Sequence, residues 1–246
     1  MLIRAHAARV GHIVAELPRP ETIMPRSELL ATAVVPDTDR ELRLYRSGDL
    51  HAIRILGRGD LMNSRAHGSE RALATLACER MRPAGAPRLL VGGLGMGFTL
   101  AAALGAVGPD AEVVVAELVP EVVAWNREYL GAAAGHPLAD PRCRVHVGDV
   151  AELLRAPGAG FDAILLDVDN GPEAILRREN DWLYGNAGLA AARAALRPSG
   201  VLGVWSAGPD APFLARLRRT GLRVEERIVR PHRRGRGARH HVWLAH

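Results

Sequence analysis

From residue 88 to residue 221 the chain alternates strand-like and helix-like runs: "RLLVGG", "FTLAAALGAV", "EVVVAE", "PEVVAWNREYL", "RVHVGD", "VAELLRA", "DAILLDVD", "GLAAARAALR", "GVLGVWS" and "APFLARLRRTG". Short β-rich runs separated by amphipathic helices need crossover connections, and these build a parallel sheet covered on both faces. The ending differs. "LRVEERIVR" and "ARHHVWLAH" are two strand-like runs joined by an Arg/Gly-rich turn. The expected fold is therefore α/β, a Rossmann-like, doubly wound sheet of seven strands that ends in an antiparallel hairpin.

The first part of the chain reads differently. Pro18, Pro20, Pro25 and Pro36 argue for an irregular or extended arm, while "ELRLYRSGDLHAIRIL" alternates apolar and polar positions around Ser47, Gly48 and Asp49, as a hairpin does. Ser69 is a fitting cap for a helix whose apolar positions Leu73, Leu76, Ala77 and Met81 recur at helical spacing. The expected division is an N-terminal arm and small β module over 1–66, then the sheet domain over 67–246.

Composition removes several chemistries. The 32 basic residues are all arginine, so the chain cannot form a lysine Schiff base or place a P-loop lysine on a phosphate. A net charge of +5 over 246 residues permits an anionic partner without requiring one. No apolar run approaches the roughly twenty residues of a bilayer span, and no export signal is visible, so a cytoplasmic location with reduced Cys78 and Cys143 is expected. Neither cysteine has metal-ligand spacing. His240 and His241 are neighbours on a strand-like run and so point to opposite faces, which argues against a metal there.

The functional signal is "LLVGGLGMGFTLAAAL", with Gly93, Gly95 and Gly97 between a strand and a helix. Glycines there permit unusual φ angles and let the backbone approach a ligand at the carboxyl end of the sheet. Glu117 closes the second strand roughly twenty residues on, where a carboxylate can accept both hydroxyls of a ribose. The third strand ends in "VGDV", which places Asp149 and the Val150 backbone where an adenine amino group can be read, although Asp149 equally suits the cap of the next helix.

The order "LLVGGLGMG", "VVVAELVPEVV", "DPRCRVHVGDV", "FDAILLDVDNGP" and "LYGNAGLAAARAALRPSGVL" resembles the spermidine synthase group within the class I S-adenosylmethionine-dependent methyltransferase superfamily. The resemblance runs from about residue 88 to 206, and the N-terminal hairpin and helix look like that group's small β domain. It implies that the glycine loop holds the methionine part of the donor, Glu117 the ribose, and Asp149 with Val150 the adenine. It also makes a homodimer the expected assembly. The departures are specific. The loop reads Gly92, Gly93, Leu94, Gly95, Met96, Gly97 and lacks the aspartate that in the group grips the aminopropyl ammonium. The run after the fourth strand reads Asp167, Val168, Asp169, Asn170, Gly171, Pro172, of which Asp167 alone aligns securely with the group's acidic motif.

Transfer from a sulfonium is an in-line displacement, so the protein must align a lone pair with the electrophilic carbon and accept a proton. Asp167 is the expected base, with Asp169 beside it. Asn170, Tyr184, Arg65 and Glu70 are the candidate acceptor contacts, the last two within the polar stretch "NSRAHGSER" that joins the N-terminal module to the cleft. The missing loop acid puts methyl transfer from S-adenosylmethionine to a small molecule, an amine by charge, ahead of aminopropyl transfer from decarboxylated S-adenosylmethionine. A nucleic-acid-directed or non-catalytic nucleoside-binding protein using the arginine-rich hairpin 230–241 comes third. With 4% aromatic residues and no base-stacking motif, a solvated surface or subunit contact is favoured for that hairpin.

Overall fold

The computed structural model describes residues 27–57, 59–156, 158, 160–168, 180–231 and 238–246. The arm before Ser27, Asp169, Asn170 and most of the arginine-rich turn lie outside the described residues.

Strands β1 (Glu28–Val34), β2 (Glu41–Ser47), β3 (Leu50–Ile55) and β4 (Gly59–Asn63) form an antiparallel sheet in sequential order. The alternation read around Gly48 is the β2–β3 hairpin, with Ser47 opposite Leu50. Seven further strands follow: β5 (Arg88–Gly92), β6 (Glu112–Glu117), β7 (Cys143–Val147), β8 (Phe161–Leu166), β9 (Leu196–Ser206), β10 (Val224–Val229) and β11 (His240–Ala245). They form one sheet in the order β10-β11-β9-β8-β5-β6-β7. β9, β8, β5, β6 and β7 are mutually parallel, and β11 and β10 add antiparallel at the edge. The chain leaves β5 toward β6 and β7, then returns to β8 on its other side. That reversal opens a crevice at the carboxyl end of β5, where open α/β sheets bind ligands.

Helices cover the sheet: α1 (Gly68–Arg80), α2 (Phe98–Ala106), α3 (Pro120–Trp125), α4 (Gly131–Ala134), α5 (Val150–Arg155), α6 (Asn180–Leu183), α7 (Asn186–Ala195) and α8 (Ala211–Arg218). The central strands are buried on both faces, which is why they read as continuous apolar runs. Leu89, Val91, Val113 and Leu165 pack with Leu73 of α1 and Leu100 of α2. Leu90, Ile164, Leu166 and Leu202 pack on the other side with Leu154, Leu189 and Phe213. Truncating one such residue, Ile164→Ala for example, costs about 2–5 kcal/mol.

Two packing facts set the site. The small sheet lays Leu42, Leu44, Ile53 and Ile55 onto Met96, Phe98, Val122 and Trp125, so it roofs the glycine loop and α3. Helix α1 buries Leu73 and Ala77 against Trp205, Val242 and Leu244, and its first amide, Gly68 N–H, donates to the Pro231 carbonyl at 2.8 Å. The helix starts two residues earlier than the sequence suggests. His67 is the cap residue and Ser69 falls inside the first turn, where its hydroxyl turns to other partners.

Candidate functional site

The crevice holds two connected chambers. The first, about 790 Å³ counting its open mouth, lies over β5 and β6 and is lined by Gly93, Gly95, Glu117, Asp149, Val150 and Asp167, with Leu42 and Ile53 of the small sheet opposite. The second, about 500 Å³ on the same measure, lies toward α1 and is lined by Asn63, Glu70, Phe98, Thr99, Asp167 and Trp205. Asp167, Gly95, Leu61 and Met62 border both. Asp167 stands where the chambers meet.

The floor is backbone held by hydrogen bonds. Gly93 has φ +89°, and its N–H donates to the Ala116 carbonyl at 2.9 Å while the Asp167 N–H donates to Gly92 at 2.9 Å. A Cβ on Gly93 would sit 2.4 Å from the Asp167 carbonyl oxygen, so only glycine fits there. Gly95 is the second floor residue, and Met62 of β4 crosses just above it. Gly97 plays a different part from the one the motif suggests. It lines neither chamber; it takes φ +82° at the start of α2 and packs against Asn126 and Pro137.

Glu117 is buried, and its carboxylate grips the loop. One oxygen accepts from Leu94 N–H at 3.0 Å and Gly95 N–H at 3.4 Å, and the other from Val119 N–H at 2.9 Å. Burial pushes its pKa up, and these amide donors pull the other way. Asp149 caps α5 by accepting from Ala151 N–H at 2.9 Å, and it also borders the first chamber beside Val150.

The acids of the second chamber come from distant parts of the chain. Thr99 Oγ1 of α2 donates to Asp167 Oδ2 at 2.5 Å. Burial and the neighbouring Glu70 push Asp167 up to about 7, against the Thr99 bond, which favours the ionised form. Glu70 is raised as well, by burial, although Ser69 Oγ donates to its carboxylate at 2.7 Å. Two carboxyls this close and largely withdrawn from solvent cannot both ionise cheaply. The chamber therefore favours a cation.

Other expected residues fall elsewhere. Tyr184 is not an acceptor wall: its ring is buried edge-on against Phe213, and its hydroxyl donates to the Val168 carbonyl at 3.2 Å, bracing the backbone next to Asp167. Its place in an apolar cluster explains the aromatic there. Arg65 is exposed and lines a separate depression with Arg46, His51 and Arg54 on the small sheet. Of the arginines in the hairpin 230–241, Arg239 is described and exposed, while Arg233, Arg234 and Arg236 lie outside the described residues. Burial raises both cysteine pKa values, Cys78 to about 11, so neither is a ready nucleophile. Among the described residues no cluster of His, Cys, Asp or Glu is built to hold a metal ion, and no helix is long and apolar enough to cross a membrane.

Three residues of the site carry no signal in the sequence. Thr99 looks like one more position of an apolar helix. Trp205 ends a buried strand yet walls the second chamber. Asn126 sits at a π-helical turn (Asn126–Leu130), a distortion often found near functional sites, and its amide donates to the Gly95 carbonyl at 2.7 Å and to Val122 at 2.9 Å.

Known proteins share this architecture. No family model matches the chain. A polyamine aminopropyltransferase of Nitrosomonas europaea is 35% identical over 124 residues, which is 49% of this chain and 36% of that protein. The match thus spans about a third of the relative's length. The crystal structure of spermidine synthase from Thermotoga maritima superposes with a TM-score of 0.68 at 17% identity, covering 88% of this chain and 71% of that one. A spermidine synthase in complex with the transition state analogue AdoDATO gives 0.68 at 18%, covering 87% and 73%. A probable spermidine synthase from Corynebacterium glutamicum gives 0.62 at 17%, covering 90% and 80%. The fold is α/β and Rossmann-like, a seven-stranded mixed sheet. In fold the chain is similar to these spermidine synthases, and it sets a small four-stranded antiparallel sheet before its seven-stranded one.

Proposed function

We propose that this protein is an aminopropyltransferase, which moves the aminopropyl group of decarboxylated S-adenosylmethionine to a small amine. The observation that carries the proposal is the charge of the second chamber. Its ionisable lining among the described residues is Glu70 and Asp167, and no described arginine borders either chamber. S-Adenosylmethionine itself would bring a carboxylate into reach of these acids. The decarboxylated donor ends in an ammonium alone, as does the amine acceptor in water. The missing loop acid pointed to methyl transfer, but Glu70, arriving from α1, supplies negative charge from another direction. The likeness to a polyamine aminopropyltransferase and to spermidine synthases supports the same order of preference.

On this reading Glu117 binds the ribose hydroxyls, and Gly93 and Gly95 pass beneath the donor's tail. Asp149 and Val150 meet the adenine. Asp167, held by Thr99, takes a proton from the acceptor ammonium, which frees the lone pair for attack. The new C–N bond forms as the C–S bond breaks, and the bonding pair leaves on sulfur as a neutral thioether. Asp169 and Asn170 remain proposed contacts of the same loop.

The test is product analysis with each donor and a diamine. Release of methylthioadenosine from the decarboxylated donor, with little turnover of S-adenosylmethionine, is expected. Release of S-adenosylhomocysteine from S-adenosylmethionine, with no turnover of the decarboxylated donor, would replace the proposal with methyl transfer.

A further inference from the structure

Each turnover leaves a proton on the carboxyls of the second chamber, and the fold contains a path for it. Ser69 is fully buried in the first turn of α1. Its single hydroxyl touches two groups, Glu70 Oε2 at 2.7 Å and His240 Nδ1 at 2.8 Å. His240 lies half-buried on β11, its ring edge-on to Trp205 at 4.8 Å between centroids. Thus a line of three polar groups runs from the chamber wall to the first residue of β11. The Gly68–Pro231 hydrogen bond fixes the end of α1 against the segment that precedes that strand.

We propose that Ser69 and His240 form a proton relay that empties the Glu70–Asp167 acid pair after transfer, an inference that rests on the proposed aminopropyl transfer. A hydroxyl has one proton to donate, so the direction of the line depends on Glu70. With Glu70 ionised, Ser69 donates to the carboxylate and His240 Nδ1–H donates to Ser69. With Glu70 protonated, Glu70 donates to Ser69 and Ser69 donates to a bare Nδ1. The proton that Asp167 takes crosses to Glu70 through a water molecule between the two carboxyls, and Glu70 then passes a proton to Ser69 Oγ as Ser69 passes its own to Nδ1. The result is a carboxylate, an intact hydroxyl and an imidazolium, whose Nε2 proton then leaves to water. The imidazole returns to its Nε2–H tautomer by proton exchange with water before the next turnover, so water is the relay's only co-reactant and is not consumed.

The groups around the relay suit it. His240 faces Ser69 from α1 and the Trp205 ring from β9, with His241 next to it on its own strand. Burial first and His241 second hold the pKa of His240 below its ordinary value, which favours release of the proton once received. Glu70 faces Ser69 on one side and Asp167 across the chamber. Glu226 is engaged elsewhere, with His241 and Trp243.

The experiment compares wild type with His240→Asn, His240→Ala and Ser69→Ala, using the decarboxylated donor and a diamine in dilute, non-nucleophilic buffer. Asn keeps a hydrogen-bonding group near Ser69 but cannot carry a proton at neutral pH. His240→Asn should lose kcat by about tenfold, with donor affinity and melting temperature close to wild type. Added imidazole should restore much of the rate to His240→Ala and none to Ser69→Ala, which lacks the middle hydroxyl. Full kcat in His240→Asn, or equal rescue of both truncated variants, would overturn the relay while leaving aminopropyl transfer intact. Absence of aminopropyl transfer by wild type would remove the functional reading first and the relay with it.

Discussion

Asp167→Asn exposes the tension built into the site, because it separates what the carboxylate does for the reaction from what it costs the fold. The fold raises Asp167 from an ordinary value of 3.8 to about 7, through burial and the charge of Glu70. At about 1.4 kcal/mol per pKa unit, the ionised carboxylate penalises the folded state by on the order of 2–4 kcal/mol. The lower end applies because Asp167 is partly exposed to the chamber. The sign follows from proton binding. Between pH 4 and 7 the folded protein holds a proton that the unfolded chain has released, so stability is greatest below pH 4 for this group and falls as pH rises to 7. Asparagine keeps an acceptor for Thr99 and carries no charge. Urea unfolding at pH 5, 6, 7 and 8 should therefore show Asp167→Asn gaining on wild type as pH rises, and more stable than it at pH 8. The same variant should lose turnover by at least about a hundredfold with little change in donor affinity. A variant less stable than wild type at pH 8, by a margin independent of pH, would show that Asp167 bears no such penalty. The reasoning about the acid pair would then fail.

The floor of the first chamber gives further expectations. Glu117→Ala leaves the Leu94, Gly95 and Val119 amides without their acceptor and removes the proposed ribose contact, so all adenosyl nucleosides should weaken together, by roughly ten- to a hundredfold; calorimetry with unchanged affinities would put the ribose elsewhere. Gly93→Ala would force a side chain into φ +89° and against the Asp167 carbonyl oxygen. A loss of about 3 kcal/mol or more by chemical denaturation is expected, and a variant of normal stability would show that the β5 turn is looser than described. Free wild-type enzyme should show kcat/KM rising with pH through about 7 as Asp167 loses its proton. Activity that stays flat from pH 5.5 to 8 would remove it as the base.

The parts of this molecule written locally are legible in the amino-acid sequence. The β5–α2 glycine turn, Glu117 at the end of β6 and the Asp149 cap each depend on spacing within one βα unit, and the apolar runs between them mark a sheet covered on both faces. The small sheet shows itself as one hairpin because its alternation is clean only around Gly48. Contacts between remote segments are hidden. Thr99 and Asp167 are 68 positions apart, and Ser69 and His240 are 171 apart, so no local pattern joins them. Tyr184 misleads for a related reason: an aromatic beside a polar loop looks like a ligand wall until the fold buries it. Ser69 misleads because a serine before an apolar periodicity looks like a cap, whereas Gly68, bound to Pro231, begins the helix.

The proposed function depends on an acid-lined chamber that receives the amine-bearing tail of an adenosyl donor. Calorimetric titration of the wild-type protein with S-adenosylmethionine and its decarboxylated form, side by side at pH 7.5, tests this most directly. The decarboxylated donor should bind at least about tenfold more tightly, equivalent to about 1.4 kcal/mol. Tighter binding of the carboxylated donor, or binding of neither, would contradict an acid-lined amine site.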